Sequence, residues 1–294
     1  MRYFVRESTL FIRGQMLAAS TGIHGGIRPV STIFNQTVPK NFDHRDPIRY
    51  LTSVVDRYGF SHEFFGLLTA VNMSSLCIFH YDYLTTFVTA GVSNPNPEGP
   101  NTINIIVHSR QGLSEGAMLE TIITATEAKA QALREMGYAF TGTTTDAVVV
   151  AHEERGDEVH TYAGTLTEVG RRVYESVRFG VQQALKRHEG EILRSAPSLF
   201  IYSRYGGEHW VEWSQHNCPY YPCHFEGQRC DFCYCPFYPC EDETLGAWVE
   251  SSSGGKVWSC QHCDLLHLPR IAEYLNTYPE ASLEELKTLQ KKTG

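Results

Sequence analysis

Eight of the nine cysteines in this chain lie between Cys218 and Cys263, at spacings suited to holding metal. Two six-residue stretches repeat, Cys218-Pro-Tyr-Tyr-Pro-Cys223 and Cys235-Pro-Phe-Tyr-Pro-Cys240. Two tight pairs accompany them, Cys230-Asp-Phe-Cys233 and Cys260-Gln-His-Cys263, with His267 following. A tight pair delivers two thiolates to one cation while the turn between them aims N–H groups at the sulfurs. Four pairs supply two tetrahedral sites, and zinc is the expected ion. An iron–sulfur cluster is the alternative, since thiolates hold those too. A closed four-thiolate site leaves no position for a substrate, so two structural zinc ions are expected. The prolines in both repeats stiffen the loops and reduce the entropy lost on ordering. Away from an oxidising compartment, such a cluster reads as ligands rather than disulfides.

Ahead of the cysteines, six stretches set polar side chains among apolar ones. They are Thr89-Ala-Gly-Val-Ser-Asn-Pro95, Thr102-Ile-Asn-Ile-Ile-Val107, Gly116-Ala-Met118, Thr124-Ala-Thr-Glu-Ala-Lys129, Thr141-Gly-Thr-Thr-Thr-Asp-Ala-Val-Val-Val-Ala151 and Tyr162-Ala-Gly-Thr165. In this order and spacing, from about Leu17 to Leu185, the chain resembles the adenosylcobinamide amidohydrolase family. The resemblance implies hydrolysis of the amide that joins the aminopropanol arm to the corrin ring, leaving adenosylcobyric acid for corrinoid salvage. The cysteine segment in turn resembles a cysteine-rich small domain found alone or appended to corrinoid-related proteins. That segment and the Gly22-Ile-His-Gly-Gly26 turn depart from a minimal family domain. A competing reading makes the first domain a corrinoid-binding or sensing module and the cysteines a redox or docking element.

Amide hydrolysis needs an activated water or nucleophile, a donor for the developing oxyanion and an acid for the leaving amine. Asp146 is placed to act as a base on water, or else closes the threonine-rich turn ahead of the apolar run Ala147 to Ala151. Lys129 falls on the inward stripe of a helix, between Ala125 and Ala132, where it can stabilise an oxyanion or pair with a carboxylate. Glu127 is the third catalytic candidate, because Thr126-Glu127-Ala128-Lys129 belongs to a motif that carries the family resemblance; otherwise it lies on a solvated polar face with Glu120, Thr124, Gln131 and Arg134. Candidate substrate contacts are Asn94, Asn104, Thr143, Thr144, Thr145 and His24. A second route places zinc on His80, His108 and His152, each at the end of an apolar run, provided those ends converge. Cys77, in mid-strand, reads as core.

The elements that must position these groups can be read locally. Strands are expected at Leu76 to His80, Thr85 to Thr89, Thr102 to His108 and Asp146 to His152, the first two forming a hairpin. Gly91 to Asn101, rich in proline, reads as a loop. Gly91 and Gly142 are expected at special backbone angles. One helix should run from Ser114 to Met136, with Met118, Ile122, Ala125, Ala132 and Met136 inward. Another should run from Thr167 to His188, with Val169, Val173, Val177, Val181 and Ala184 inward. A strand at Leu199 to Tyr202 and a surface helix at Ala281 to Lys292 complete the reading. Without a regular βα repeat, the fold class is α+β, a layered sheet-and-helix hydrolase domain (residues 1–204) followed by a cysteine-rich metal module (residues 205–294).

The net charge of −8 argues against a nucleic-acid surface, which needs concentrated basic residues. No stretch approaches the roughly 18 apolar residues of a membrane span. The segment from Met1 to Gln15 carries Arg2, Arg6, Glu7 and Arg13 and lacks a signal-peptide core. The expected location is cytoplasmic.

Overall fold

The computed structural model describes residues 1–42, 45–92, 102–153, 159–204, 206–214, 218, 220–250 and 255–292. The chain divides into two compact units, Tyr3–Trp213 and Ser214–Gly294.

In the first unit, β1 (Arg2–Arg6), β2 (Thr9–Ser20) and β3 (Gly26–Thr37) precede α1 (Pro47–Tyr58) and β4 (Phe64–Thr69). Then come β5 (Cys77–Tyr81), β6 (Leu84–Gly91), β7 (Thr102–Ser109), β8 (Gly112–Leu113), α2 (Glu115–Glu135), β9 (Ala147–His152) and β10 (Val159–His160). The unit ends with α3 (Glu168–His188), β11 (Ser198–Ser203) and β12 (His209–Glu212). The strands form one mixed sheet in the order β12-β11-β5-β6-β7-β9-β2-β3-β4, with β1 on β2. This is an α+β architecture, and β12 carries the first sheet past Arg204.

Each long helix forms where its apolar stripe and caps agree. Ser114 accepts a hydrogen bond from Ala117 N at the start of α2, and Thr167 does the same from Gly170 N for α3. The inward valines of α3 and Met118, Ala125 and Ala132 of α2 pack on one sheet face against Phe79, Val88, Ile105 and Val150. Ile122 and Met136 lie half-buried at the margin of this core.

The strands from Thr9 to Thr37, β4 and α1 went unread in the sequence. They build the other side of the unit. Leu10, Ile12, Ile33 and Leu67 cover the sheet's second face at Phe87, Ile106 and Val149. The sheet reaches this position by folding over at β2, where the register with β3 shifts between Arg13 and Met16. Outside this layer, Leu51, Val54 and Val55 of α1 pack on Phe11 and Phe34. The result is helices, sheet, folded-over sheet, helix.

The second unit contains a hairpin of β13 (Ala247–Glu250) and β14 (Lys256–Ser259), then α4 (Pro269–Thr277) and α5 (Leu283–Lys291). Its apolar core is small, centred on Leu265, Leu266, Ile271, Leu275 and Leu286. No described helix in either unit is long and apolar enough to cross a membrane.

Candidate active site and cysteine module

Lys129 and Asp146 meet. The Lys129 ammonium lies 2.5 Å from Asp146 Oδ2, and both side chains are less than one-tenth exposed. Helix α2 aims the lysine inward, and the turn from Thr141 to Thr145 brings the aspartate to the start of β9. Thr143 N and Ile103 N each donate to the carboxylate at 2.9 Å, and Thr143 Oγ1 donates at 2.5 Å. Four donors therefore fill the two oxygens of Asp146, about the capacity of an ionised carboxylate. In this arrangement the carboxylate holds the lysine and the turn, and no acceptor position is left for an attacking water. Lys129 has three N–H donors and gives one to Asp146.

Gly142 is needed here for space. A Cβ at this position would lie 2.7 Å from both Asp146 Oδ2 and Lys129 Nζ. Gly91 is crowded in the same way, with Val71 Cγ2 at 2.7 Å and His188 Nε2 at 2.9 Å. Neither glycine has a positive φ, so the expectation of special backbone angles gives way to one of close approach.

The other candidates scatter around this pair. Thr145 and Thr102 share a hydroxyl hydrogen bond of 2.8 Å, and Thr144 is exposed. Asn104 is buried, and its amide hydrogens go to Asn35 Oδ1 at 3.0 Å and Leu68 O at 2.9 Å. Its potential as an amide donor is thus already used. Its buried Oδ1 has no partner among the described residues. Asn35, which donates to Thr89 Oγ1 at 2.8 Å, was missed in the sequence. The signal was a carboxamide inside the run Thr32-Ile-Phe-Asn-Gln-Thr37, all but the last buried. His24 is exposed in the turn between β2 and β3 with φ of 55°. Asn94 lies outside the described residues, as does most of the expected loop around it.

Glu127 points elsewhere. It lines a surface depression of about 570 Å³ with Gln131, Arg134, Thr165, Arg171 and Tyr174, on the outer side of α2 and α3. The Tyr162-Ala-Gly-Thr165 motif is fixed to α2 there: Glu120 accepts from Ala163 N at 2.6 Å and Thr124 donates to Ala163 O at 2.8 Å.

The three histidines end strands that run the same way, because β6 is antiparallel to both β5 and β7 while β9 is parallel to β7. His80 and His108 flank Thr85 in one pairing row. His152 pairs with Ser109 and Leu17, one residue out of phase, and faces the opposite side. His80 instead bonds to Tyr3 Oη at 3.0 Å and Thr85 Oγ1 at 3.1 Å. Burial, then Arg110, lowers its pKa to about 4. Burial also holds His108 well below the usual histidine range. No three-histidine centre is assembled among the described residues. Cys77 is fully buried, and burial raises its thiol to about 12, consistent with core.

In the second unit all eight cysteines are free thiols. Burial, followed by the neighbouring Cys230, Cys218 and Cys223, raises the Cys233 thiol to about 11. Cys235 is raised to about 12 by burial, with Cys260, Cys263 and Cys240 around it and the Phe237 N–H on its sulfur opposing the shift. Crowded thiols that resist ionisation together are what a cation would relieve, and N–H groups on sulfur fit thiolate ligands. The residues thus suit a soft-ligand metal. Cys223, His224 and His267 also bring their donor atoms within 4.8 Å of one another.

Residues 3–192 match the profile of the adenosylcobinamide amidohydrolase family, and residues 209–290 that of a cysteine-rich small domain. An adenosylcobinamide amidohydrolase from Methanosarcina mazei is 43% identical over 196 residues, 63% of this chain and 98% of that protein. Another, from Halobacterium salinarum, is 31% identical over 183 residues, 56% of this chain and 78% of its own. An uncharacterized protein of Methanocaldococcus jannaschii is 49% identical over 74 residues, 24% of this chain and 62% of its own. These relations make the chain an amidohydrolase. It belongs to the adenosylcobinamide amidohydrolase family, with a cysteine-rich small domain following the family domain.

Proposed function

We propose that the first unit hydrolyses the amide between the corrin ring and the aminopropanol arm of adenosylcobinamide, releasing adenosylcobyric acid and 1-amino-2-propanol. Family membership supports the substrate class, and the buried Lys129–Asp146 pair is the observation that carries the chemistry. Water adds to the amide carbon, the C–N bond breaks, and a proton from water ends on the departing nitrogen. Lys129, aimed by Asp146, donates to the carbonyl oxygen as negative charge develops there. Thr102 and Thr145 supply hydroxyls that orient the water or a peripheral amide of the corrinoid, with Thr143 and Thr144 in the same turn. Glu127 and the depression around it receive the polar rim of the ligand. His24 and Asn94 remain candidate contacts, and Asn104 contributes through its acceptor Oδ1.

The cysteine module, on this proposal, holds zinc through Cys218, Cys223, Cys230, Cys233, Cys235, Cys240, Cys260 and Cys263. A closed thiolate site supplies folding free energy and no chemistry at the amide.

Incubation with adenosylcobinamide and mass spectrometry for the two products tests the reaction; binding without cleavage would sink it. Lys129→Met should lower turnover about a hundredfold or more, with affinity little changed. Asp146→Asn keeps the shape but removes the charge that holds the lysine, and should act in the same direction. Near-normal turnover in both folded variants would move the chemistry away from this pair.

A further inference from the structure

We propose that the module binds its two metal ions in consecutive quartets: Cys218, Cys223, Cys230 and Cys233, then Cys235, Cys240, Cys260 and Cys263. The inference rests on the reading that the module holds metal. Eight thiolates could equally interleave, with the two six-residue repeats meeting at one ion and the two C-x-x-C pairs at the other.

Two observations favour the consecutive arrangement. The first is the repeat itself. Each half consists of one six-residue stretch followed by one C-x-x-C pair, and the two halves fold alike. Tyr221 N donates to Cys218 O at 3.3 Å as Tyr238 N does to Cys235 O at 3.1 Å. Cys233 N donates to Cys230 O at 3.3 Å as Cys263 N does to Cys260 O at 3.0 Å. The second is Gln228, a buried carboxamide that ties the two parts of the first half together. Its Nε2 donates to Cys223 Sγ and to Cys230 Sγ, each at 3.2 Å. Its Oε1 accepts from His224 N at 2.9 Å and Phe225 N at 3.3 Å, which fixes the amide's orientation. One donor group on two sulfurs from different pairs is an outer-shell arrangement that aims both at a common point.

The imidazoles beside Cys223 are then outside the first shell. His267 Nδ1 faces Arg229 O at 2.7 Å, and Arg229 N donates to His267 O at 2.9 Å, so this ring latches the loop around the first quartet. A tetrahedral ion with four thiolates has no place for it.

Two double variants of the full chain remove the same number of thiols and separate the arrangements. Metal is counted per chain by mass spectrometry after purification with zinc and a reductant. Cys218→Ser with Cys233→Ser damages one quartet and should retain one tightly held ion. Cys218→Ser with Cys235→Ser damages both and should retain none, whereas the interleaved arrangement would lose both ions in the first variant and keep one in the second. The reverse pattern overturns the consecutive arrangement. A wild-type chain that holds no metal overturns instead the reading beneath it. If a double variant precipitates, Cys240→Ser with Cys260→Ser (one ion expected) and Cys223→Ser with Cys240→Ser (none expected) carry the same test, since the interleaved arrangement reverses both counts. Gln228→Leu should weaken only the first ion, roughly tenfold or more in chelator competition; equal weakening of both would remove its positioning role. After cobalt substitution, His267→Gln should leave the visible ligand-field spectrum unchanged. A changed spectrum would establish a mixed thiolate–imidazole site and overturn the first quartet.

Discussion

The two units solve the same problem with different materials. The first buries three apolar clusters, one on each side of the sheet and one beneath α1. The second has one small cluster and eight thiols in a segment shorter than a typical domain. Apolar burial grows with the number of layers, so the first unit has stability to spend on a buried ion pair and on polar groups such as Asn104. On the proposed reading, metal held by the second unit's thiols makes up for its smaller apolar core. The contrast teaches where chemistry can sit: in the unit whose fold does not depend on its polar residues.

The largest expected effect breaks the comparison at the metal. If the module holds zinc as proposed, stripping it with a strong chelator should unfold it, because structural zinc contributes about 10–16 kcal/mol in small thiolate folds. The first unit should keep its near-ultraviolet circular dichroism and its hydrolysis. Loss of both together would show that the first unit also relies on metal.

Next is the position of the cut between units. A chain ending at Pro197 looks attractive from the motifs, which stop before the cysteines. It would remove β11, which pairs in parallel with β5, and β12 with it. Phe200, stacked on Phe79 at 4.8 Å, and Trp210, edge-on to the same ring, would go too. Losing Phe200 alone should cost about 3–5 kcal/mol. A chain ending at Trp213 should therefore be folded and active, and one ending at Pro197 markedly less stable in urea. Equal midpoints for the two would deny β11 its place in the core.

Much of the first unit could be read from the chain, for identifiable reasons. Helices α2 and α3 have a sustained stripe and a capping hydroxyl, and β5, β6, β7 and β9 are short apolar runs between turn residues. The strand from Thr9 to Ser20 escaped because both of its faces are buried over Thr9 to Ile12, which erases the alternation. Helix α1 was readable: Asp46 caps it, Pro47 opens it, and Leu51, Val54 and Val55 form its stripe. Lys129 and Asp146 each stood out, one on an inward stripe and one at a turn. Their pairing did not, because it depends on where β9 begins relative to α2. In the module, the cysteine pairs were visible as a repeat, whereas Gln228 was not, since a lone glutamine carries no spacing signal.

A smaller effect separates the units by pH. The His80 imidazole titrates near 4 in the folded protein, against about 6.5 for a free histidine. Between these values the unfolded chain binds the extra proton, so stability is present above about pH 6.5 and is lost as pH falls towards 4. The shift corresponds to about 3 kcal/mol, and His108 acts in the same direction. Urea midpoints of the chain ending at Trp213, taken from pH 7 to 4, should fall, and His80→Gln should flatten the slope. An unchanged slope would mean that His80 does not carry this linkage.

The smallest effect compares two helix caps. In α2, Ser114 Oγ accepts from Ala117 N at 3.1 Å and donates to Thr161 O at 3.1 Å. In α5, Ser282 Oγ accepts from Glu285 N at 3.2 Å while Glu285 accepts from Ser282 N at 3.3 Å, a reciprocal capping box. Either serine changed to alanine should cost about 1 kcal/mol locally. The consequences should differ. Ser114→Ala weakens a helix that belongs to the cooperative core, so the melting temperature of the whole first unit should fall by a few degrees. Ser282→Ala frays a short helix held mainly by Leu286, in a fold that the proposed metal sites would hold elsewhere. Amide exchange in α5 should quicken while the metal content stays the same. If Ser282→Ala releases metal, the module is held by its helices as much as by its cysteines, and the division between the two units is less sharp than their cores suggest.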